Sequence, residues 1–329
     1  MLQTNSLRSW RGNAYTENPS VAPIQEVQRP LEETTNRGVQ EMAIKEEKEN
    51  GSAPIYNSFG TKTLLIGPPG SGKTTSLVSF IEAGLDLFAI GTDPGFEEVI
   101  LDAIRERNLP LDKFHYSYIA PASVDFDTMI TQAKQVGNFG YEGLASIKSG
   151  PGKGKYNQFI ELLSCLSDFT DKRTGESFGP VDQFPPNVAL AIDSLSGINV
   201  MAIDLVLGGK VTAHQGEWGV AMAAEEKLIL KLTGDLKCFF VLTAHIEKEP
   251  DIVSGVPITM VGALGKKLAP KLPRTFSDVI LAQKEGDKFT WSTAALNVDL
   301  KSRSLPLKDG LVPSFEQIVE VWKARNEMK

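Results

Sequence analysis

The chain has 329 residues, 41% of them hydrophobic and 23% charged, an ordinary globular composition with room for one large or two modest domains. A net charge of −7 argues against non-specific coating of nucleic acid, although a local basic groove stays open to such a chain. Two cysteines, Cys165 and Cys238, make no disulfide framework and point to a reducing, cytoplasmic compartment. No apolar run approaches membrane-spanning length and no signal-peptide core is visible, so no membrane partner is expected.

Residues 1–58 are rich in Gln, Asn, Glu, Pro and Ser, with sparse apolar residues and no sustained period. They read as a disordered N-terminal arm, suited to tethering a protein partner, ahead of a single domain over residues 59–329. From Thr61 the texture changes. Short apolar runs at 62–67, 87–92, 114–120, 188–193 and 238–244 read as buried strands, and helical patterns at 73–84, 96–107, 156–169 and 216–233 lie between them. Strands alternating with helices predict an α/β fold with a mostly parallel sheet covered on both faces. Six glycines between 137 and 155 predict a mobile loop there. After Ser277 three shorter strand patterns, "DVILAQ", "KFTWST" and "LNVDLKS", predict an antiparallel C-terminal extension, followed by a helix near 314–326.

The first strand runs into "GPPGSGKT", which fits G-x-x-x-x-G-K-[ST] in the strand–loop–helix setting that motif requires. Gly67, Pro68, Pro69, Gly70, Ser71, Gly72, Lys73, Thr74 and Thr75 form the expected nucleotide cradle, its backbone N–H groups turned toward phosphate. Lys73 is expected on the β- and γ-phosphates of ATP and Thr74 on Mg²⁺. The strand "VALAID" ends in Asp193, the expected second Mg²⁺ anchor. Ser194 follows where many P-loop motors carry a catalytic Glu, so a base must come from elsewhere. Asp93, at the end of "LFAIGTD", is the candidate to orient or deprotonate water, against the plainer reading of "DPG" as a capped turn. His245 ends "CFFVLTAH" and is the candidate γ-phosphate sensor.

Beyond the sensor, Glu247–Pro273 shows no period and holds three glycines and several prolines. The stretch "GKKLAPKLPR" places Lys266, Lys267, Lys271 and Arg274 within nine residues, which suggests a flexible contact for single-stranded DNA, or otherwise a solubilising surface loop. Further on, "NVDLKSRSLPL" (297–307) sets Lys301 and Arg303 on one side of a strand-like stretch. A solvated strand face and a functional pair are both open for them at this point.

The order of these parts resembles the RecA-like P-loop ATPases over roughly residues 60–312. Within that group "IGPPGSGKTT", "GTDPG", "IDSLSG", "GEWG", "VLTAHIEKE" and "LKSRSLP" look most like the phage-encoded RecA-fold ATPases of the Sak group, linked to single-strand annealing and recombination. The resemblance implies a RecA-like P-loop NTPase core, an Mg²⁺-dependent ATPase working as a homo-oligomeric ring or filament on single-stranded DNA, and a host-cytoplasmic setting. It also implies that Lys301 and Arg303 are trans-acting fingers on a neighbour's γ-phosphate. The chain departs from the pattern in carrying Asp at 93, where such proteins usually keep Glu, and His at 245, where they often keep Gln. A DnaB- or KaiC-type motor or helicase loader, and an ATP-gated partner switch with little hydrolysis, are the competing functions.

Overall fold

Apolar residues alternate along the central strands so that each strand feeds two cores, one on either face of the sheet. This is seen in a computed structural model that describes residues 58–147, 153–250, 255 and 257–327, all in one structural unit, Asn36–Lys329. Except for Ser58, the arm expected over residues 1–58 lies outside the described residues. The strands are β1 (Lys62–Ile66), β2 (Asp86–Gly91), β3 (Phe114–Tyr118), β4 (Phe169–Thr170), β5 (Ser177–Gly179), β6 (Val188–Asp193), β7 (Phe239–Ala244), β8 (Ile246–Pro250), β9 (Pro257–Val261), β10 (Asp278–Glu285) and β11 (Lys288–Ser292). The helices are α1 (Lys73–Ser76), α2 (Ser79–Glu82), α3 (Phe96–Glu106), α4 (Phe126–Asn138), α5 (Tyr141–Ala145), α6 (Gln158–Ser167), α7 (Leu195–Leu207), α8 (Gln215–Asp235), α9 (Leu272–Thr275) and α10 (Glu316–Glu327).

Seven strands form one sheet in the order β11-β10-β1-β7-β6-β2-β3. Every pairing is parallel except the β10–β11 hairpin. Strand β7 thus separates the P-loop strand β1 from the Asp193 strand β6, and the architecture is the expected α/β fold, a mostly parallel sheet covered on both faces. Leu64, Ile66, Phe88, Ile90, Leu190, Ile192, Phe240 and Leu242 pack under α6, α7 and α8. The residues between them, among them Leu65, Leu87, Ala189 and Val241, face α2, α3 and α10. On that second face Phe80 stacks on Phe315 with ring centroids 4.4 Å apart, which locks α2 beneath the start of the last helix. Truncating such a ring costs about 3–5 kcal/mol.

Several local expectations change. The helix expected over 73–84 breaks after one turn. Ser76 Oγ donates to the Lys73 carbonyl and Ser79 Oγ to the Ser76 carbonyl, both at 2.6 Å, bonds that compete with the i→i−4 ladder. Strand β10 joins β1 in parallel, so the antiparallel C-terminal pairing is confined to β10 and β11. Its first five residues are buried, as a strand inside a sheet requires. "LNVDLKS" makes isolated bridges at Val298 and Lys301 and no strand. The supposed loop after the sensor contains the antiparallel pair β8–β9. Likewise, α4 and α5 occupy part of the stretch expected to be a mobile loop, α4 starting where the Asp125 carboxylate accepts the Thr128 N–H at 2.7 Å. Residues 148–152 of that stretch lie outside the described residues.

Candidate nucleotide site

The sequence from Gly67 to Thr74 folds as a phosphate loop because its glycines occupy conformations that side chains reject. Gly70 and Gly72 have φ of 70° and 79°. A Cβ on Gly67 would stand 2.4 Å from the Ala282 carbonyl oxygen. The Gly67 N–H donates to the Ala244 carbonyl at 3.1 Å, which ties the loop to the end of β7. Lys73 is buried, its Nζ donating to the carbonyls of Gly67 and Pro68 at 2.9 Å each. With α1 only one turn long, an anion at this loop would meet the loop's own N–H groups and Lys73 more than a helix dipole. Pro68, Pro69 and Gly70 are exposed, Ser71 is buried, and Gly72 and Thr75 are half-buried.

Asp193, at the carboxyl end of β6, is buried and accepts the Thr74 hydroxyl at 2.6 Å and the Thr243 hydroxyl on its other oxygen. Burial pushes its carboxyl pKa up, opposed by those two hydroxyl bonds. Burial also pushes the Lys73 ammonium down, opposed by the charges of Asp193 and Asp93. Lys73, Asp193 and Asp93 therefore form one electrostatic cluster. A hydroxyl and a carboxylate are the hard oxygen donors that Mg²⁺ takes, usually with water and substrate phosphate completing its shell. Among the described residues no trio of His, Cys, Asp or Glu could hold a metal.

Asp93 leaves β2 beside this centre and accepts the Ser194 hydroxyl at 2.6 Å. It does not cap the following helix: the N-cap of α3 is Gly95, with φ of 79°. Ser194, the residue that stands where a Glu was sought, is joined to β2 again. Its N–H donates to Thr92 Oγ1 at 2.8 Å and its carbonyl accepts the Thr92 hydroxyl at 3.0 Å. Gly197 leaves room for Thr92, since a Cβ there would lie 2.3 Å from that hydroxyl oxygen. By contrast, Glu97 faces away from the centre into bonds with the Tyr116 hydroxyl and Lys172, which hold its carboxyl below the usual range. The Asp193–Ser194 peptide is cis.

His245 is half-buried directly after Ala244, and its Nδ1 is buried with no hydrogen-bond partner among the described residues. Its carbonyl holds the Gly262 N–H at 2.8 Å, linking the end of β7 to the segment that follows β9.

Two of the four expected DNA-loop cations are ion-paired. Lys266 pairs with Glu249 and Lys271 with Glu226, each at 3.0 Å, while Lys267 is exposed. Arg274 instead shares a cleft with Lys301 and Arg303. Lys301 bridges to Val279 at the amino end of β10, level with Leu64 of β1. Arg303 lines a cleft with Gly60, Thr61 and Lys62, where β1 begins, whereas the P-loop leaves the carboxyl end of β1.

Sequence reasoning missed Thr92 and Thr243 and the bonding of Ser194, the hydroxyls that join three strand ends; the faint signal was a polar residue next to Asp93 and Asp193 and two before His245. It also missed Phe289 of β11, whose ring lies 3.1 Å from where a Cβ of Gly72 would stand.

No protein-family model matches the chain, and no curated protein matches it either. Among solved structures, a crystal structure of the RadB recombinase matches at 14% identity and a TM-score of 0.38, over 80% of this chain and 89% of that one. A likeness at that level does not bear on the chemistry of this site.

Proposed function

We propose that the protein is an Mg²⁺-dependent ATPase with a RecA-like core that acts on single-stranded DNA in recombination, annealing or replication, within a cytoplasm. The observation that carries the ATPase reading is the 2.6 Å bond between Thr74 and buried Asp193, with Lys73 and Asp93 in the same charge cluster. The P-loop N–H groups hold the phosphates. Lys73 exchanges two loop carbonyls for β- and γ-phosphate oxygens. Thr74 and Asp193 would hold Mg²⁺, whose charge would neutralise that of the phosphates. Asp93, steadied by Ser194, orients the attacking water or takes its proton, and His245 reads the γ-phosphate from the end of β7.

The phage Sak-type setting, a homo-oligomeric ring or filament, and a protein partner on the N-terminal arm belong to the same proposal. In a finger role Lys301 and Arg303 need a second copy of the chain to bring a phosphate to them, because Arg303 stands with Gly60–Lys62 where β1 begins and the P-loop leaves the other end of that strand. No helix among the described residues is long and apolar enough to cross a membrane. The test is ATP hydrolysis with and without oligothymidine, on protein whose mass has been measured with ATP bound. Turnover stimulated by the oligomer supports the proposal, and tight ATP binding without turnover would leave a nucleotide-gated switch in its place.

A further inference from the structure

The stretch "KSRS" owes its shape to one carboxylate. Asp278, fully buried at the start of β10, accepts the Ser302 hydroxyl at 2.6 Å, the N–H groups of Arg303 and Ser304 at 2.8 and 3.0 Å, and the Ser304 hydroxyl at 3.1 Å. Arg325 of α10 braces the turn from outside, donating to the Arg303 carbonyl at 2.6 Å, and Lys301 donates to the Arg274 carbonyl at 3.1 Å. The clamp uses serines and backbone, so it leaves the Arg303 guanidinium free. Two adjoining clefts result. One, of about 580 Å³, is lined by Phe59, Lys62, Arg303 and Arg325; the other, of about 420 Å³, by Arg274, Lys301 and Arg303. Ser277 and Arg303 belong to both. Lys62 is buried, its Nζ held by the Gly60 and Cys238 carbonyls at 2.7 Å each.

Among the described residues none of Arg274, Lys301, Arg303 and Arg325 has a carboxylate partner, whereas Lys266 and Lys271 do. Four cations without an ion pair among the described residues, with the buried Asp278 carboxylate beneath Lys301, are a local departure for a chain of net charge −7. Phe59 lines the same trough and is 60% exposed. We propose that single-stranded nucleic acid binds along this trough, with phosphodiesters on Arg274, Lys301, Arg303 and Arg325 and a base stacked on Phe59. The inference rests on the nucleic-acid part of the proposed function and supplies its surface. Guanidinium forks match phosphate oxygens. Two joined lobes suit a run of phosphates better than one, and an exposed aromatic among cations is the means by which single strands are held without sequence readout.

The experiment measures fluorescence anisotropy of labelled oligothymidine over a salt series. It uses the full chain with Mg²⁺, with and without a non-hydrolysable ATP analogue. In Lys301→Glu/Arg303→Glu affinity falls at least tenfold, and the slope of log affinity against log salt shrinks by about 1.4, roughly 0.7 for each lost phosphate contact on a single strand. Phe59→Ala loses about tenfold with its slope unchanged. The triple variant Lys266→Glu/Lys267→Glu/Lys271→Glu stays within about twofold of wild type. Wild-type affinity and slope in the trough variant, or a loss confined to the triple variant, overturns the inference and leaves the nucleic-acid reading standing. Absence of binding by the wild type in either nucleotide state removes both. ATP turnover lost in Arg303→Gln with DNA affinity intact also overturns it, because the cations then serve a neighbour's phosphate. Should the double variant fail to fold, Arg303→Gln keeps the backbone bonds to Asp278 and Arg325, and a loss of about threefold or more, with a shallower slope, is the result expected of it; an unchanged affinity overturns the inference.

Discussion

Glu225 on α8 is 0% exposed, and neither carboxylate oxygen completes a hydrogen bond among the described residues, although the Leu264 N–H faces it. Burial pushes its pKa from the ordinary 4.5 up to about 8. A folded value above the unfolded one means that the contribution of the neutral carboxyl is fully present below pH 4.5 and is lost as pH rises toward 8. At 1.36 kcal/mol per unit, the cost at pH 7 is about 3 kcal/mol, and at pH 5 it is below about 1 kcal/mol. Replacing Glu225 by Gln keeps the shape and removes the ionisation. Urea unfolding of wild type and Glu225→Gln at both pH values is the assay. The variant is expected to be more stable by about 3 kcal/mol at pH 7, with most of the gain gone at pH 5. An equal difference at the two pH values, or a less stable variant at pH 7, would refute the reasoning, since only ionisation of a buried acid separates the two conditions.

Asp93→Asn is expected to bind ATP with near-wild-type affinity and hydrolyse it at least tenfold more slowly, while Glu97→Gln stays near wild type because Glu97 is engaged by Tyr116 and Lys172; steady-state phosphate release checks both, and the reverse pattern removes Asp93 from the mechanism. Asp278→Ala leaves four donors without their acceptor and is expected to cost roughly 3–5 kcal/mol in urea unfolding. A loss below about 1 kcal/mol would mean that water replaces the clamp at little cost.

The parts of the protein legible in the sequence were those set by local chemistry. The P-loop is continuous in the chain, Asp193 and Asp93 each end an apolar strand, and alternation of strand and helix dictates a parallel sheet. What stayed hidden depends on register between distant segments. Gly91 lies across from Asp193, and only that pairing brings Thr92 and Ser194 together. Thr243 reaches Asp193 because β7 runs beside β6. The basic run "GKKLAPKLPR" looked like one patch because its partners, Glu249 and Glu226, come from β8 and α8. Asp278 read as an ordinary strand residue, although it organises Ser302 to Ser304 more than twenty positions later. The broken helix after the P-loop was a local effect that went unread, since serines bonding back to carbonyls leave no mark in an apolar periodicity.

Gly67–Thr74 and Asp193 are proposed to form a working ATP site. The most direct measurement is Mg²⁺-dependent phosphate release from ATP by the full chain, set beside Lys73→Ala protein shown by circular dichroism to be folded. The account expects turnover in the wild type that disappears with EDTA and falls to background in Lys73→Ala. Equal turnover in the two folded proteins, or wild-type turnover indifferent to EDTA, would contradict it.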